Sequence, residues 1–255
     1  MKLLLNILNE VPEFLRLTAA LEGGRSPVEV AGLSPIHRAH FAAGLLARLD
    51  VPVVLVCADE GECARLAADV TALAGVPATM LGAREFLFHD GAVASRQWEH
   101  QRLAAFHAMA QGKIKLIAAT VEGLLQRTLP PDELAGHIVA LESNGSYDMD
   151  ELADRLAALG YTRCPQVEGV GQFALRGGIL DVFSPGQDNP VRVEFWDRAV
   201  DSMGLFDVSS QRRVGHLDRA VFLPVSELLP VKDENGNWER LTDRQLPARY
   251  SKLAT

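Results

Sequence analysis

Gly171-Gln-Phe-Ala-Leu-Arg-Gly-Gly-Ile-Leu-Asp-Val-Phe-Ser-Pro-Gly186 is the stretch on which the fold reading turns. Short runs rich in apolar, β-branched and aromatic residues, bounded by glycine, read as strands. Phe173–Arg176 and Gly178–Phe183 are two such runs, and Ser184-Pro185-Gly186 closes the second with a turn. Downstream, Val191–Phe195 and Ala199–Phe206 repeat the pattern, set off by Asp188-Asn189-Pro190 and Trp196-Asp197-Arg198. Upstream, Asp148 to Leu159 reads as a helix ended by Gly160, with Asp148 as N-cap and Glu151 three residues on. His137–Glu142 reads as one more strand. Antiparallel strands after a helix predict a compact α+β domain over roughly 133–211.

The first 125 residues or so have a different texture, with strands and helices in alternation. Val28–Leu33 is a short apolar run that ends near Gly32, and Ile36–Leu49 reads as a helix. Val51–Cys57 is a nearly continuous apolar strand of the kind buried on both faces of a parallel sheet. Glu60–Ala74 follows as a helix closed by Gly75, with Asp59 as its N-cap and Glu60 and Glu62 at its positive end. Ala78–Leu81, a helix over Ser95–Gln111 and a strand over Lys115–Thr120 continue the alternation. This predicts a doubly wound, mostly parallel α/β sheet over residues 1–132. Pro130-Pro131 marks the boundary. Glu85-Phe86-Leu87-Phe88-His89 reads as apolar core, Asp233–Asn237 as a polar turn, and the tail from Arg212 shows few clear elements.

The chain has 255 residues, 48% hydrophobic and 23% charged, with a formal charge of -8 and a pI near 5.4. That composition suits a folded protein with a real core. It carries no net basic excess of the kind a dedicated duplex binder shows. Cys57, Cys63 and Cys164 form no CxxC pair and are odd in number, so reduced thiols and a cytoplasmic setting are expected. Leu3, Leu4, Ile7 and Leu8 sit at helical spacing, which predicts an amphipathic helix packed on the body. No apolar run is long enough to cross a membrane.

A doubly wound sheet invites a test for a phosphate loop, which needs G-x-x-x-x-G-K-[ST]. Counting from Gly32, the second glycine position holds His37, the lysine position Arg38 and the hydroxyl position Ala39, while Pro35 removes an amide donor. The strand–loop–helix frame is expected without the chemistry, so no cofactor is expected. His37 and His40 lie three apart, but two histidines make no metal site. No catalytic triad or dyad has identifying spacing. The residues alone leave three readings: a protein-binding module, a fragment that binds NTP or DNA, and a generic α/β small-molecule binder.

The string from Gly171 to Gly186, with Pro190-Val-Arg-Val-Glu-Phe-Trp-Asp197, Val200-Asp-Ser-Met-Gly-Leu-Phe-Asp207 and Ser210-Gln-Arg212, strongly resembles a module of bacterial nucleotide excision repair. The damage-verifying helicase UvrB and the transcription-repair coupling factors (the Mfd family) share it. The resemblance covers most of the chain, strongest over 160–212 and fainter over 28–130, where Leu124-Leu-Gln-Arg127 also fits. UvrB keeps an intact phosphate loop and a long aromatic hairpin. Here the loop is degraded, and His89 to Arg96 is too short for that hairpin. The pattern therefore resembles the coupling factors.

That resemblance implies a non-catalytic fragment from the N-terminal part of such a protein, without its polymerase-binding domain and DNA translocase motor. Its expected parts are a first α/β domain over 1–132, a second domain over 133–211 and a return segment over 212–255. The second domain is expected to dock UvrA, the damage-recognising ATPase, as a monomer. RNA polymerase and double-stranded DNA would be met by the absent domains. In the whole protein the module would fold back on the motor and hide its docking face. Carried over residue by residue, Arg176 falls on a family arginine of this contact, and Arg163, thirteen residues earlier, on another. Arg192 and Glu194 fall on an arginine–glutamate pair, and Ala174 sits where UvrB has a further arginine. The alternative is a UvrB-like helicase fragment that binds nucleic acid or NTP.

Overall fold

The computed structural model describes residues 2–49, 51–83, 96–126, 128–229, 231–232 and 238–239. In chain order the first elements are α1 (Lys2–Ile7), a 3-10 turn (Leu8–Glu10), α2 (Pro12–Glu22), α3 (Pro35–Leu49), β1 (Val53–Cys57), α4 (Glu60–Ala74) and β2 (Ala78–Leu81). Then come α5 (Gln97–Ala110), β3 (Leu116–Thr120), α6 (Val121–Leu125), α7 (Pro131–Gly136), β4 (Val139–Glu142) and α8 (Met149–Ala158). Short strands complete the chain: β5 (Thr162–Arg163), β6 (Gln172–Arg176), β7 (Ile179–Val182), β8 (Val191–Trp196), β9 (Ala199–Phe206), β10 (Arg213–His216), β11 (Arg219–Phe222), β12 (Val231–Lys232) and β13 (Trp238–Glu239). The chain divides into two compact units, Met1–Phe88 with Ala108–Gln126, and His89–His107 with Arg127–Thr255.

The first unit holds a three-stranded parallel sheet in the order β1-β3-β2, with Val53 and Ala78 both in register with Leu116. α3 buries Ala39, Ala42, Ala43 and Leu46, and α4 buries Cys63, Leu66, Ala67 and Val70. That spacing makes one apolar stripe per helix, and both stripes pack with Cys57, Leu116 and Ala118. Asp59 caps α4 by accepting from the Glu62 amide at 2.8 Å, and Gly75 ends it in the left-handed conformation at φ 69°. Leu8 and Phe14 are buried against Gly44 of α3, where a Cβ would collide with both side chains.

Two expectations about this unit are corrected. β1 is not buried on both faces, because Val54 and Val56 are 49% and 58% exposed. It is an edge strand, and α3 and α4 pack on the side that carries Val53, Leu55 and Cys57. Val28–Leu33 forms no strand, and Val30 is 41% exposed. Apolar residues alone do not make a strand without a neighbour to pair with. The frame before α3 is therefore loop and helix only.

The second unit is built on a six-stranded sheet in the order β10-β9-β8-β7-β6-β5, antiparallel except for the parallel β5–β6 pair. β4 and β11 form a separate antiparallel pair, Val139 opposite Phe222. One face of the large sheet makes the core: Phe173, Leu180, Val182, Val191, Val193, Phe195 and Met203 pack with Leu152 and Leu156 of α8 and with Val139, Leu141 and Phe222. β8 shows the rule most clearly, because Val191, Val193 and Phe195 are buried while Arg192 and Glu194 point the other way. Asp148 caps α8 by accepting from the Asp150 and Glu151 amides at 3.0 and 3.2 Å.

Arg176 opposes Ile179, so Gly177-Gly178 is a two-residue hairpin loop. Gly177 takes φ 57°, and a Cβ on Gly178 would lie 2.7 Å from the Phe195 carbonyl oxygen. The glycine pair is thus required by the hairpin's own turn and by the neighbouring strand.

The second unit is larger than the interval 133–211. Residues of α5 up to His107 belong to it, and so do β10 and β11, which sequence reading left inside a return segment without clear elements. α5 is held by buried polar groups: Arg102 Nε donates to Glu227 Oε1 at 2.7 Å with both side chains 1% exposed. Glu99 Oε1 accepts from Ser226 Oγ at 2.6 Å and from the Glu227 amide at 2.7 Å. Pro130-Pro131 does not simply break the chain, because Pro131 begins α7. The expectations for 85–89, for the short stretch 89–96 up to Ser95, for the 233–237 turn and for the chain end lie outside the described residues. No described helix is long and apolar enough to cross a membrane.

Candidate functional site

The face of the six-stranded sheet opposite the α8 core carries a polar ladder. Cross-strand partners point to the same side of a sheet. Ala174, Asp181, Arg192 and Gly204 are aligned across β6 to β9, and Arg176, Ile179, Glu194 and Ser202 form the next row. The structure therefore brings Arg176, Arg192 and Glu194 together on one face, where Arg176 and Glu194 are half-exposed while Ala174, Asp181 and Phe206 are buried.

Asp181 is the hub of the first row. Its Oδ1 accepts from Arg192 Nε at 2.7 Å, and its Oδ2 accepts from Arg192 NH2 and Arg176 NH2, each at 2.8 Å. The Arg192 guanidinium also lies 4.3 Å from the centroid of the Phe206 ring. Its NH2 donates to Gln211 Oε1 at 3.0 Å, and its NH1 donates to the Gln211 carbonyl at 3.4 Å. Bonding to Asp181 raises the Arg192 pKa further, against the opposing effect of burial. Gln211 sits in the left-handed region at φ 58°, unusual for a residue with a side chain. The preceding loop holds it there: Asp207 Oδ1 accepts from Ser209 Oγ at 2.7 Å and from the Ser210 amide and hydroxyl at 2.8 and 2.7 Å. Those hydrogen bonds, from Ser209 first and then Ser210, lower the Asp207 pKa to about 2.

In the second row, Glu194 Oε2 accepts from Ser202 Oγ at 2.6 Å, and Ser202 Oγ accepts from Arg213 NH2 at 2.7 Å. Arg213 and Glu194 are also 3.6 Å apart as an ion pair. Asp181, Gln211, Phe206 and Arg213 were missed as members of the face by sequence reasoning. The alternation of β6 to β8 could have found Asp181, since it falls in step with Arg192. Gln211 and Arg213 depend on a loop geometry that no spacing announces.

Arg163 is placed elsewhere. It is in register with Phe173 on the parallel β5–β6 pair, and Phe173 points into the core. Arg163 accordingly lines a shallow depression with Asp150, Asp154 and Ala158 of α8. Phe173, Phe183 and Phe195 are buried, whereas Trp196 is 82% exposed at the β8–β9 turn.

The remnant of the phosphate loop is occupied by its own contacts. His37 Nδ1 is 3.1 Å from Ser34 Oγ, and Arg38 NH1 donates to Glu62 Oε1 at 2.9 Å. Ala39 is fully buried and Gly32 is exposed at φ 80°. The cation that would meet a phosphate is thus turned to a carboxylate of α4. Among the described residues no group of three or more His, Cys, Asp or Glu is placed to hold a metal.

Comparison with known proteins agrees with the geometry. A family model described as the UvrB interaction domain matches residues 139–228, which span β4 to β11 and the whole polar ladder. A transcription-repair-coupling factor of Myxococcus xanthus is 33% identical over 224 residues, 85% of this chain and 19% of the relative. That of Bacillus subtilis is 29% identical over 248 residues, 96% of this chain and 21% of the relative. That of Escherichia coli is 28% identical over 217 residues, 85% of this chain and 19% of the relative. The chain spans about a fifth of the length of these relatives. Over that fifth the chain is similar to transcription-repair-coupling factors, and its residues 139–228 match the UvrB interaction domain model.

Proposed function

We propose that this chain is a recruitment module that brings the excision-repair protein UvrA to stalled RNA polymerase, with the sheet row of Arg176 and Glu194 in the second unit as the docking surface. The observation that carries the reading is the cluster of Arg176, Arg192 and Glu194 on the face of the UvrB interaction domain opposite the α8 core, with Arg176 and Glu194 half-exposed. Rigid strands present these groups with little ordering cost on binding. Arginine forks suit carboxylates on a partner, and such arginines are frequent hot spots. Arg213 joins the surface through Ser202 and Glu194. Arg163, on the α8 side, would contribute only if the partner reaches round the β5 edge.

The first unit is read as a degenerate nucleotide-binding domain of the doubly wound class, with no catalytic role and no cofactor. The parallel order β1-β3-β2 and the capture of Arg38 by Glu62 support that reading. RNA polymerase and DNA would be engaged by other parts of the whole coupling factor, in which this module would also hide its docking face against the motor.

Titration of UvrA with this chain at moderate salt tests the reading. Saturable binding is expected, weakened tenfold or more by Arg176→Ala in a folded variant, with no heat signal when ATP replaces UvrA. No binding by the wild type, or binding that Arg176→Ala leaves unchanged, would overturn it.

A further inference from the structure

The two arginines that meet Asp181 are not equivalent. Arg192 is 19% exposed, and its donors are directed at Asp181 and Gln211 while its ring-like plane covers Phe206. Arg176 is 46% exposed and, among the described residues, donates only through NH2 to Asp181 Oδ2. Its Nε–H and NH1 groups have no acceptor among the described residues, so each is left to donate to a partner carboxylate. Asp181 itself is completely enclosed at 0% exposure. An enclosed carboxylate is retained only where charge and hydrogen bonds satisfy it, and here the bidentate Arg192 does so together with Arg176.

We infer that Asp181 is the positioning residue of the docking face: clamped by Arg192, it holds the remaining donors of Arg176 toward a carboxylate on the partner. Arg192 then supports the contact from behind, with Gln211 and the Asp207 loop as its backing, and does not itself touch the partner. The inference rests on the docking role proposed above and adds to it the division of labour between the arginines. It also names what the partner must bring to Arg176, an Asp or Glu side chain.

The test is a double-mutant cycle on the full 255-residue chain, read by UvrA titration. Asp181→Asn keeps the shape and removes the charge, and it is expected to weaken binding about tenfold or more, the scale of one charge-assisted bond. In an Arg176→Ala background the same change is expected to weaken binding less than twofold, because there is no longer an arginine to aim. A second readout needs no partner. The Arg176 Nε–Hε NMR resonance should show restricted motion in the wild type and averaged motion in Asp181→Asn. If Asp181→Asn does not fold, Arg192→Lys replaces it in the cycle, since lysine keeps the charge but cannot form the two-bonded clamp. The same loss of effect without Arg176 is expected.

Equal weakening with and without Arg176, or unchanged affinity for Asp181→Asn beside a weakened Arg176→Ala, would overturn the positioning role alone. An Arg176→Ala variant that binds like wild type would overturn the docking reading and this inference with it.

Discussion

Arg163 and Phe173 are partners in register on β5 and β6, and that pairing turns Arg163 toward α8, away from the face that carries Arg176. Two arginines that sequence comparison places in one contact thus lie on opposite sides of one sheet. The prediction is that Arg163→Ala changes UvrA affinity less than twofold, while Arg176→Ala weakens it tenfold or more. Parallel titrations of the two variants check this, and equal losses would show that the partner wraps the β5 edge.

The pair Arg102–Glu227, 1% exposed on both sides, ties α5 to the segment after β11. Removing one partner of a buried pair leaves an uncompensated charge and costs about 3–5 kcal/mol. Glu227→Ala is therefore expected to lower the urea midpoint strongly, with little change in slope. A joint Arg102→Met, Glu227→Leu change should recover much of that loss, because neither charge then remains enclosed.

Asp59 and Asp148 cap α4 and α8 through the bonds from Glu62, Asp150 and Glu151 amides. Asp59→Ala and Asp148→Ala should each cost about 1 kcal/mol. Asp59→Asn and Asp148→Asn, which keep the acceptor oxygen, should cost less. Denaturant unfolding of the four variants separates lost capping from a general surface effect.

Tyr161 is buried, its hydroxyl donates to the Leu223 carbonyl at 2.7 Å, and burial raises its pKa well above the ordinary 10.0. The neutral form is favoured in the folded state. The contribution to stability is therefore complete below pH 10 and is lost as the pH rises above it, because the unfolded chain ionises first. Absorbance at 295 nm is expected to show Tyr161 titrating only together with unfolding, and Tyr161→Phe should flatten the loss of stability above pH 10.

Much of the architecture was legible in the sequence where local pattern and packing agree. The stripes of α3 and α4, both aspartate caps and the in–out alternation of β8 are all periodic features. The turn at Trp196-Asp197-Arg198 also followed from pattern. What escaped depended on distant partners. β1 looked buried on both faces because Val54 and Val56 are apolar, yet burial is decided by the neighbour a strand has. β11 contains a mere four residues and exists because β4 offers a free edge to pair with. Of the candidate site, the resemblance named Arg176, Arg192 and Glu194, which the strand register places on one face. Asp181 at its centre and the left-handed Gln211 behind it required the register and the loop.

The central claim is that UvrA sits on the face of the six-stranded sheet that carries Arg176 and Glu194. Site-specific photocrosslinking tests it most directly, with benzoylphenylalanine placed at Ile179, between Arg176 and Glu194 on that face, or at Asp154 of α8 on the opposite side. The account predicts a UvrA adduct from position 179 and none from 154. Adducts from 154 alone, or none from 179 under conditions of saturable binding, would contradict it.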